Sequence, residues 1–198
     1  MNNDFGILTS ISWNSNKWSA PATLLDIENS NYNSVKENEW MHEDLNFGHQ
    51  SFPCEDDGTF IAYTPMFKRL PTQDVEIVFF RSLNYHVSKN YIIGYYAHPF
   101  INEYPRNASH ELYLKYDWGN LAAYPDDIVL FKTPVEISNE IILKENYIPK
   151  GKKLGLRGFN YLSKENVLSI LDKATMLNPD NKLIKNLKYK FLTGPVYK

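Results

Sequence analysis

The stretch Asp74–His98, DVEIVFFRSLNYHVSKNYIIGYYAH, decides the fold of this chain. It contains two runs rich in Ile, Val, Phe and Tyr, Val75–Arg81 and Tyr91–Ala97, separated by a short polar link. Because these residue types favour strands, the stretch predicts a hairpin of two core strands. Gly94, inside the second run, predicts a β-bulge or a close approach of another backbone.

Further runs of strand character surround this hairpin, with no long helical pattern between them. They are bounded by turn residues and comprise Gly6–Trp13, Thr59–Thr64, Glu111–Tyr116 and Ile128–Phe131. A spacing of roughly a dozen residues is typical of sheets built from short strands. The pattern therefore predicts an α+β fold with an antiparallel or mixed, barrel-like sheet and flanking helices.

The C-terminal part of the chain is predicted to be helical. Ser163 is a suitable N-cap for a first helix, whose apolar residues recur at helical spacing: Val167, Ile170, Leu171 and Ala174. A second helix is predicted with Asn178 as its cap, Pro179 at its first position and an apolar stripe of Leu183, Ile184 and Leu187. Residues 176–198 are thus expected to form a basic helix or a linker to a further module.

Charge is distributed unevenly, although the net charge is only −2. Residues Asp26–Asp57 contain nine acidic residues and one basic residue, whereas Lys144–Lys198 contains twelve basic and four acidic residues. A basic end can hold a phosphate backbone even in a chain of low net charge. The acidic stretch Ser19–Asp57 is predicted to be a long loop with a functional role, since it carries several aromatic residues.

Composition excludes several classes of protein. Cys54 is the only cysteine, which excludes an internal disulfide and a thiolate metal cluster. The first ten residues lack the pattern of a signal peptide, and no apolar run is long enough to span a membrane. The expectation is therefore a cytoplasmic protein without a membrane partner. Aromatic residues make up 15% of the chain, a surplus that suggests a ring-lined surface or pocket.

Catalytic patterns are weak throughout the sequence. The histidines form neither HxH nor HExxH, and His42 with His49 would make a metal site of unusually wide spacing. Cys54 has no local marker of a nucleophile, and glycine-rich phosphate loops are absent. The acids and lysine of Glu136–Lys144 lack the spacing of a nuclease centre. We therefore expect no catalytic residue, no metal and no cofactor, and a protein that is not an enzyme.

One constellation stands out, directly after the first strand. Ser12–Trp18 reads Ser-Trp-Asn-Ser-Asn-Lys-Trp, which places two indoles and two amides within seven residues. Indoles provide flat faces for stacking, and amides provide both hydrogen-bond donors and acceptors. This combination is suited to a planar polar ligand.

The order of these motifs resembles the EVE domains of the PUA-like superfamily, relatives of the YTH readers of methylated RNA. The resemblance rests on Trp13-Asn14-x-x-x-Trp18, on the strands DVEIVFFRS and YIIGYYAH, and on the tail Gly158–Ser163, which reads GFNYLS. It covers Gly6–Thr175 and implies a PUA-like mixed β-barrel over residues 1–175. The acidic insert before Thr59 departs from the family pattern.

The resemblance implies a domain that flips a methylated or hydroxymethylated base, in double-stranded DNA above all, into an aromatic cage. Similar domains serve restriction and antiviral defence systems, with a nuclease or NTPase as partner or fused module. The base-binding residues would be Ser12, Trp13, Asn14, Asn16, Trp18, Trp40, Phe52 and Tyr95. The phosphate-binding residues would be Lys17, Lys68, Arg69, Arg81, Lys89 and Arg157.

Two other classes of function remain open at this point. One is a small enzyme of RNA or nucleotide metabolism on the same barrel, which would require a titratable group inside the aromatic slot. The other is a protein-interaction module, which would present a flat exposed apolar patch in place of a slot. Trp118, in Tyr-Asp-Trp-Gly, is interpreted as structural.

Overall fold

The computed structural model describes residues 4–30, 33–38, 40–65, 67, 75–154 and 159–194. Within these residues the strands are β1 (Gly6–Ser10), β2 (Phe60–Ala62), β3 (Ile77–Asn84), β4 (Lys89–Ala97), β5 (Tyr104–Pro105), β6 (Trp118–Gly119), β7 (Leu121–Ala123), β8 (Ile128–Ile137) and β9 (Asn160–Leu162). The helices are α1 (Leu24–Glu28), α2 (Asn33–Asn38), α3 (Asn139–Lys144), α4 (Lys164–Leu177) and α5 (Lys182–Thr193). Among the described helices, none is both long and apolar enough to cross a membrane.

The central sheet has five strands in the order β8-β4-β3-β1-β9. It is mixed, because β1 runs parallel to β3 while the other neighbouring pairs are antiparallel. Two small sheets, β2-β7 and β5-β6, lie beside it. The α+β class is confirmed. The predicted barrel is not seen in the described part of the chain, where β8 and β9 form the two edges of the sheet and do not pair with each other.

The predicted hairpin is confirmed as β3 and β4, which pair in antiparallel fashion with a register shift after Phe80. A second register shift lies between β4 and β8 at Ile92 and Gly94. A Cβ added at Gly94 would clash with the carbonyl oxygen of Val129 and lie 2.9 Å from a ring carbon of Phe47. Gly94 thus provides both the irregularity and the close backbone approach that the sequence indicated.

The predicted strand over Glu111–Tyr116 is wrong, because Glu111–Leu114 forms a 3-10 helix. The His110 side chain accepts a hydrogen bond from the Leu112 N–H at 3.1 Å and so caps this turn. Tyr113 and Tyr116 are buried whereas Leu114 is 88% exposed. Burial therefore recurs every three residues, as in a 3-10 helix, and not every two, as in a strand. β8 extends to Ile137 through Pro134, which an edge strand tolerates because its outer N–H groups need no partner.

Side chains alternate across the central sheet and build two cores. The helix-side core, against α4 and α5, includes Leu8, Phe79, Tyr95, Ile170 and Phe191. The loop-side core lies on the other face and includes Ile7, Trp18, Phe47, Phe80 and Tyr96.

The C-terminal helices form largely as predicted. Ser163 caps α4 through the Asn166 N–H, but α5 begins at Lys182 with Asn181 as its cap. Asn178 ends α4 instead and binds the backbone of Thr133 through both amide atoms. The buried stripe of α5 consists of Ile184, Leu187 and Phe191, so α5 packs into the helix-side core, and the predicted boundary at residue 175 falls inside α4.

The acidic stretch Ser19–Asp57 was expected to be a long loop, yet much of it is ordered into short helices. Thr23 and Asp26 form a capping box at the start of α1. His42–Leu45 forms a 3-10 helix, and Leu45 and Phe47 are buried. Phe47 packs into the loop-side core, whereas Leu45 packs against Tyr113 and Tyr116.

Candidate functional site

The turn after β1 is held by its own backbone and by its neighbours. Lys17 and Trp18 adopt positive φ angles of 59° and 52°. Trp18 is only 3% exposed, and its indole N–H donates to the Ser12 carbonyl oxygen at 2.9 Å. The Trp18 ring packs edge-on against Phe47. In this structure Trp18 is therefore a core residue rather than the open cage wall that the sequence suggested.

Trp13 differs from Trp18 in being half-buried. Its ring centre lies 5.4 Å from that of Trp18 in an edge-to-face arrangement, at the margin of the loop-side core. Its Nε1 is buried without a hydrogen-bond partner among the described residues. Trp13 thus carries an unused donor beside a fixed aromatic neighbour.

The polar side chains of this turn are engaged by the protein itself. The Asn14 amide donates to the Ala20 carbonyl at 3.0 Å and to Asp44 Oδ1 at 2.8 Å. The Asn16 amide donates to the Pro21 carbonyl at 2.7 Å, and Ser12 Oγ lies 3.4 Å from Ser30 Oγ. Ser12, Asn14 and Asn16 were predicted to contact a base, and here they hold the turn in shape.

Two consecutive buried carboxylates, Glu43 and Asp44, lie beneath the turn. Glu43 Oε1 accepts the Ser12 N–H at 3.0 Å, and Asp44 Oδ2 accepts the Tyr116 hydroxyl at 2.9 Å. Burial raises the pKa of Glu43, and burial together with the Glu43 charge raises the pKa of Asp44 to about 6 although hydrogen bonds oppose the shift. These acids belong to the 3-10 helix His42–Leu45 and join it to the turn after β1 and to Tyr116.

A third acid, Asp26, supports the same turn from α1. It accepts the Ser15 N–H and hydroxyl at 3.0 Å and 2.7 Å, and the Tyr85 hydroxyl at 2.9 Å. Burial acts to raise the pKa of Asp26, but the hydrogen bonds from Ser15 and Thr23 outweigh it and lower the pKa.

Four aromatic rings meet around His42, the first residue of the 3-10 helix that contains Glu43 and Asp44. The His42 ring lies 4.2 Å from Trp40, 4.8 Å from Tyr63 and 5.5 Å from Trp118, centre to centre. All four side chains are half-buried, and together they are called the His42 ring cluster. His42 Nδ1 is buried without a hydrogen-bond partner in the described part, and burial lowers the pKa of this imidazole, so that the neutral ring is favoured.

Arg106 connects the segments that carry the cluster. Its guanidinium donates to the carbonyls of Ile61 and Tyr116, both at 2.8 Å, and stacks 5.2 Å from the Tyr113 ring centre. Arg106 is 7% exposed, and burial lowers the pKa of its guanidinium. One buried side chain thus fixes the segment that leads to Tyr63 relative to the segment that leads to Trp118.

Three further predicted cage residues take different places. Trp40 belongs to the His42 ring cluster, and Lys115 Nζ lies 5.4 Å from its ring centre. Phe52 packs against His110 instead, at 5.0 Å between ring centres. Tyr95 lies in the helix-side core, on the opposite face of the sheet from Trp13, and this corrects its predicted position.

The predicted phosphate contacts also separate. Lys17 is exposed, and Lys89 is exposed in an ion pair with Glu136 at 3.0 Å. Arg81 is buried, with Nη1 3.4 Å from Asn90 Oδ1, so its guanidinium does not reach the surface as a phosphate contact would require. Lys68, Arg69 and Arg157 lie outside the described residues.

Sequence reasoning missed His42, Tyr63 and Trp118 as members of one site. The indole of Trp118 was interpreted as structural, and no spacing along the chain relates residues 40, 63 and 118. Within the described ranges, no group of three His, Cys, Asp or Glu side chains is placed to hold a metal ion. Comparisons of this chain with protein-family models, with curated proteins and with solved structures found no match.

Proposed function

We propose that the protein binds nucleic acid carrying a modified base, with the base extruded and stacked against the His42 ring cluster. The observation that carries this proposal is the partial exposure of four rings, in which His42 contacts each of Trp40, Tyr63 and Trp118. Rings with a purely structural role can be buried completely, as Tyr96 is in this chain. Exposed aromatic faces are the usual platform for stacking a nucleobase.

The energetics are compatible with base flipping. Extruding a base from a duplex costs a few kcal/mol, and stacking on aromatic side chains returns about 1–3 kcal/mol per base. A buried polar atom without a partner, as at His42 Nδ1, costs about 1–3 kcal/mol, which a ligand group that reached it would recover. An added methyl group contributes about 1–3 kcal/mol in an apolar pocket, so the expected preference for a methylated base is modest.

Two exposed lysines beside the cluster support an anionic partner, whereas the exposed Asp117 near His42 opposes one. Lys115 is exposed and lies over the Trp40 ring, and Lys17 is exposed on the neighbouring turn. Lysines in such places neutralise phosphates and orient the strand without reading its sequence. Glu43 and Asp44, by contrast, are buried and held by protein donors, which supports a structural role for them rather than catalysis. His42, however, is a titratable group inside the cluster. It meets the requirement of the second candidate function, a small enzyme of RNA or nucleotide metabolism, which therefore stays open.

The finer assignments follow the resemblance to EVE domains. We propose that the mixed central sheet is a PUA-like arrangement, supported by the β3–β4 hairpin beside a parallel β1. In this proposal the protein is a cytoplasmic reader, not an enzyme, that provides the specificity of a restriction or defence system. A nuclease or NTPase on a partner or a further module would supply the cleavage.

A binding panel tests the proposal. Fluorescein-labelled duplexes and single strands would carry unmodified, methylated or hydroxymethylated bases, with affinity measured by anisotropy. Trp40→Ala and Trp118→Ala should each weaken binding of the preferred modified strand by about 5- to 150-fold, the equivalent of 1–3 kcal/mol of stacking. Tyr124→Ala is the matched control, because Tyr124 is 48% exposed and packs against Phe100 rather than against the cluster. Equal binding of all strands, or variants that fold and bind as the wild type does, would contradict it.

A further inference from the structure

Helix α5 has one buried and one exposed side. Ile184, Leu187 and Phe191 enter the helix-side core. At 3.6 residues per turn, the opposite side presents the exposed residues Lys182, Asn186, Tyr189 and Thr193. Tyr189 is 68% exposed, an unusual position for a large ring on a well-packed helix.

The charge on this helix is of one sign. Lys182–Thr193 contains four lysines and no acidic residue. Lys188 pairs with Asp172 of α4, whereas Lys182 and Lys185 are exposed and have no ion-pair partner in the part of the chain that the structure describes. Uncompensated lysines on one helix face are the electrostatic footprint of a polyanion partner.

The exposed leucines of α5 argue against insertion into a membrane. Leu183 and Leu192 are nine positions apart, which places them about half a turn from each other around the helix. They therefore lie on opposite flanks, and the centre of the exposed face is formed by lysine, asparagine, tyrosine and threonine. A helix that lies in a membrane surface needs a continuous apolar face, and the apolar face of α5 is already buried in the core.

We propose that the exposed face of α5 binds the sugar–phosphate backbone of nucleic acid, as a surface separate from the His42 ring cluster. Lys182 and Lys185 would neutralise phosphates, and Tyr189 would stack on a base or donate its hydroxyl to a phosphate. This inference rests on the proposed function for the class of partner. Because α5 packs on the helix side of the sheet and β2, which leads to Tyr63, packs in the loop-side core, only a long strand reaches both surfaces.

The experiment compares a labelled duplex of about 30 base pairs with a modified single strand of about six nucleotides, using the full chain. Lys182→Gln/Lys185→Gln should weaken duplex binding at least about tenfold. The salt slope, which is the slope of the logarithm of the binding constant against the logarithm of the salt concentration, should become shallower by about 1.8, at about 0.9 per lost phosphate contact. Binding of the short strand and the ratio of affinities for modified and unmodified duplex should stay unchanged. Tyr189→Ala should weaken duplex binding without changing the salt slope. Lys36→Gln/Lys150→Gln is the control of equal charge, since both of its lysines are exposed and lie outside α4 and α5.

Three results would overturn the inference: a salt slope equal to that of the wild type, an equal loss in the control variant, or binding of the chain to phosphatidylserine vesicles but not to the duplex. The two proposals fail in different ways. If the duplex binds without preference for the modified base, but the Lys182→Gln/Lys185→Gln variant shows the reduced salt slope, the proposed reading of a modified base is wrong and the α5 surface is supported. If the preference for the modified base is kept and the salt slope of the variant equals that of the wild type, only the proposed α5 surface is contradicted.

Discussion

Asp44 accepts the hydroxyl of Tyr116 at 2.9 Å, although the two residues are 72 positions apart in the chain. This hydrogen bond joins the 3-10 helix that begins with His42 to the segment that precedes Trp118. Because the Tyr116 ring also packs edge-on against Trp40 at 5.1 Å, one buried acid positions members of the His42 ring cluster from two sides.

The first prediction concerns the pH dependence of stability. The pKa of Asp44 is raised from 3.8 to about 6, so the folded state binds this proton more tightly than the unfolded state does. The free energy of unfolding should therefore fall as the pH rises from about 4 to about 6, with up to about 3 kcal/mol attributable to Asp44. Asp44→Asn should flatten this part of the profile, as measured by urea unfolding across the pH range.

Asp26→Asn is the comparison for this experiment, because the pKa of Asp26 is lowered in the folded state. At pH values above the ordinary Asp pKa, ionised Asp26 stabilises the fold. This stabilisation is lost as the pH falls through the lowered pKa of Asp26 in the folded state. The variant should be less stable than the wild type at neutral pH, with a deficit that shrinks in acid. An Asp44→Asn profile as steep as that of the wild type would show that the pKa of Asp44 is not raised in the folded state.

The second prediction concerns Arg106. Arg106→Lys cannot donate to both Ile61 and Tyr116 with a planar fork, so at least one buried carbonyl loses its partner. The free energy of unfolding should drop by about 2–4 kcal/mol, as measured by urea unfolding. Lys115→Met, at an exposed cation nearby, should change it by less than about 0.5 kcal/mol. Equal stability of the two variants would mean that the guanidinium does not hold the segments together.

The third prediction concerns Gly94. Gly94→Ala would press a methyl group against the Val129 carbonyl and the Phe47 ring, neither of which can withdraw without moving a strand or the loop-side core. We expect a loss of about 1–3 kcal/mol in the free energy of unfolding. At Gly151 the space around an added Cβ is open but φ is +80°, so Gly151→Ala should cost about 1 kcal/mol from backbone strain alone. Thermal unfolding of both variants makes the comparison, and a larger loss at Gly151 would contradict it.

The elements that the sequence predicts correctly are those with strong local signals. The β3–β4 hairpin, Gly94 and the cap at Ser163 all follow from residue type and spacing. The start of α5 was predicted too early because Asn178 is recruited by Thr133, 45 positions away, which no local pattern shows. Asn14 illustrates the same limit at the site, since its amide suits either a ligand or the carboxylate of Asp44, and only the fold decides which it meets.

The His42 ring cluster is the part that sequence reasoning could not assemble. Trp40, Tyr63 and Trp118 come from three segments that are brought together by tertiary contacts, including those of Arg106. The aromatic surplus indicated that ring-lined surfaces exist, and Trp40 was among the predicted residues. The partners of Trp40 could be identified only from the structure.

The measurement that tests the central claim most directly reports extrusion of the base. A fluorescent aminopurine placed beside the modified base in a duplex brightens when its neighbour leaves the stack. The wild-type chain and Tyr124→Ala should raise this fluorescence on binding, whereas Trp40→Ala and Trp118→Ala should lower both the signal and the affinity, with a loss of about 1–3 kcal/mol per ring. Tight binding without any rise in aminopurine fluorescence, or a full rise in both ring variants, would contradict the account.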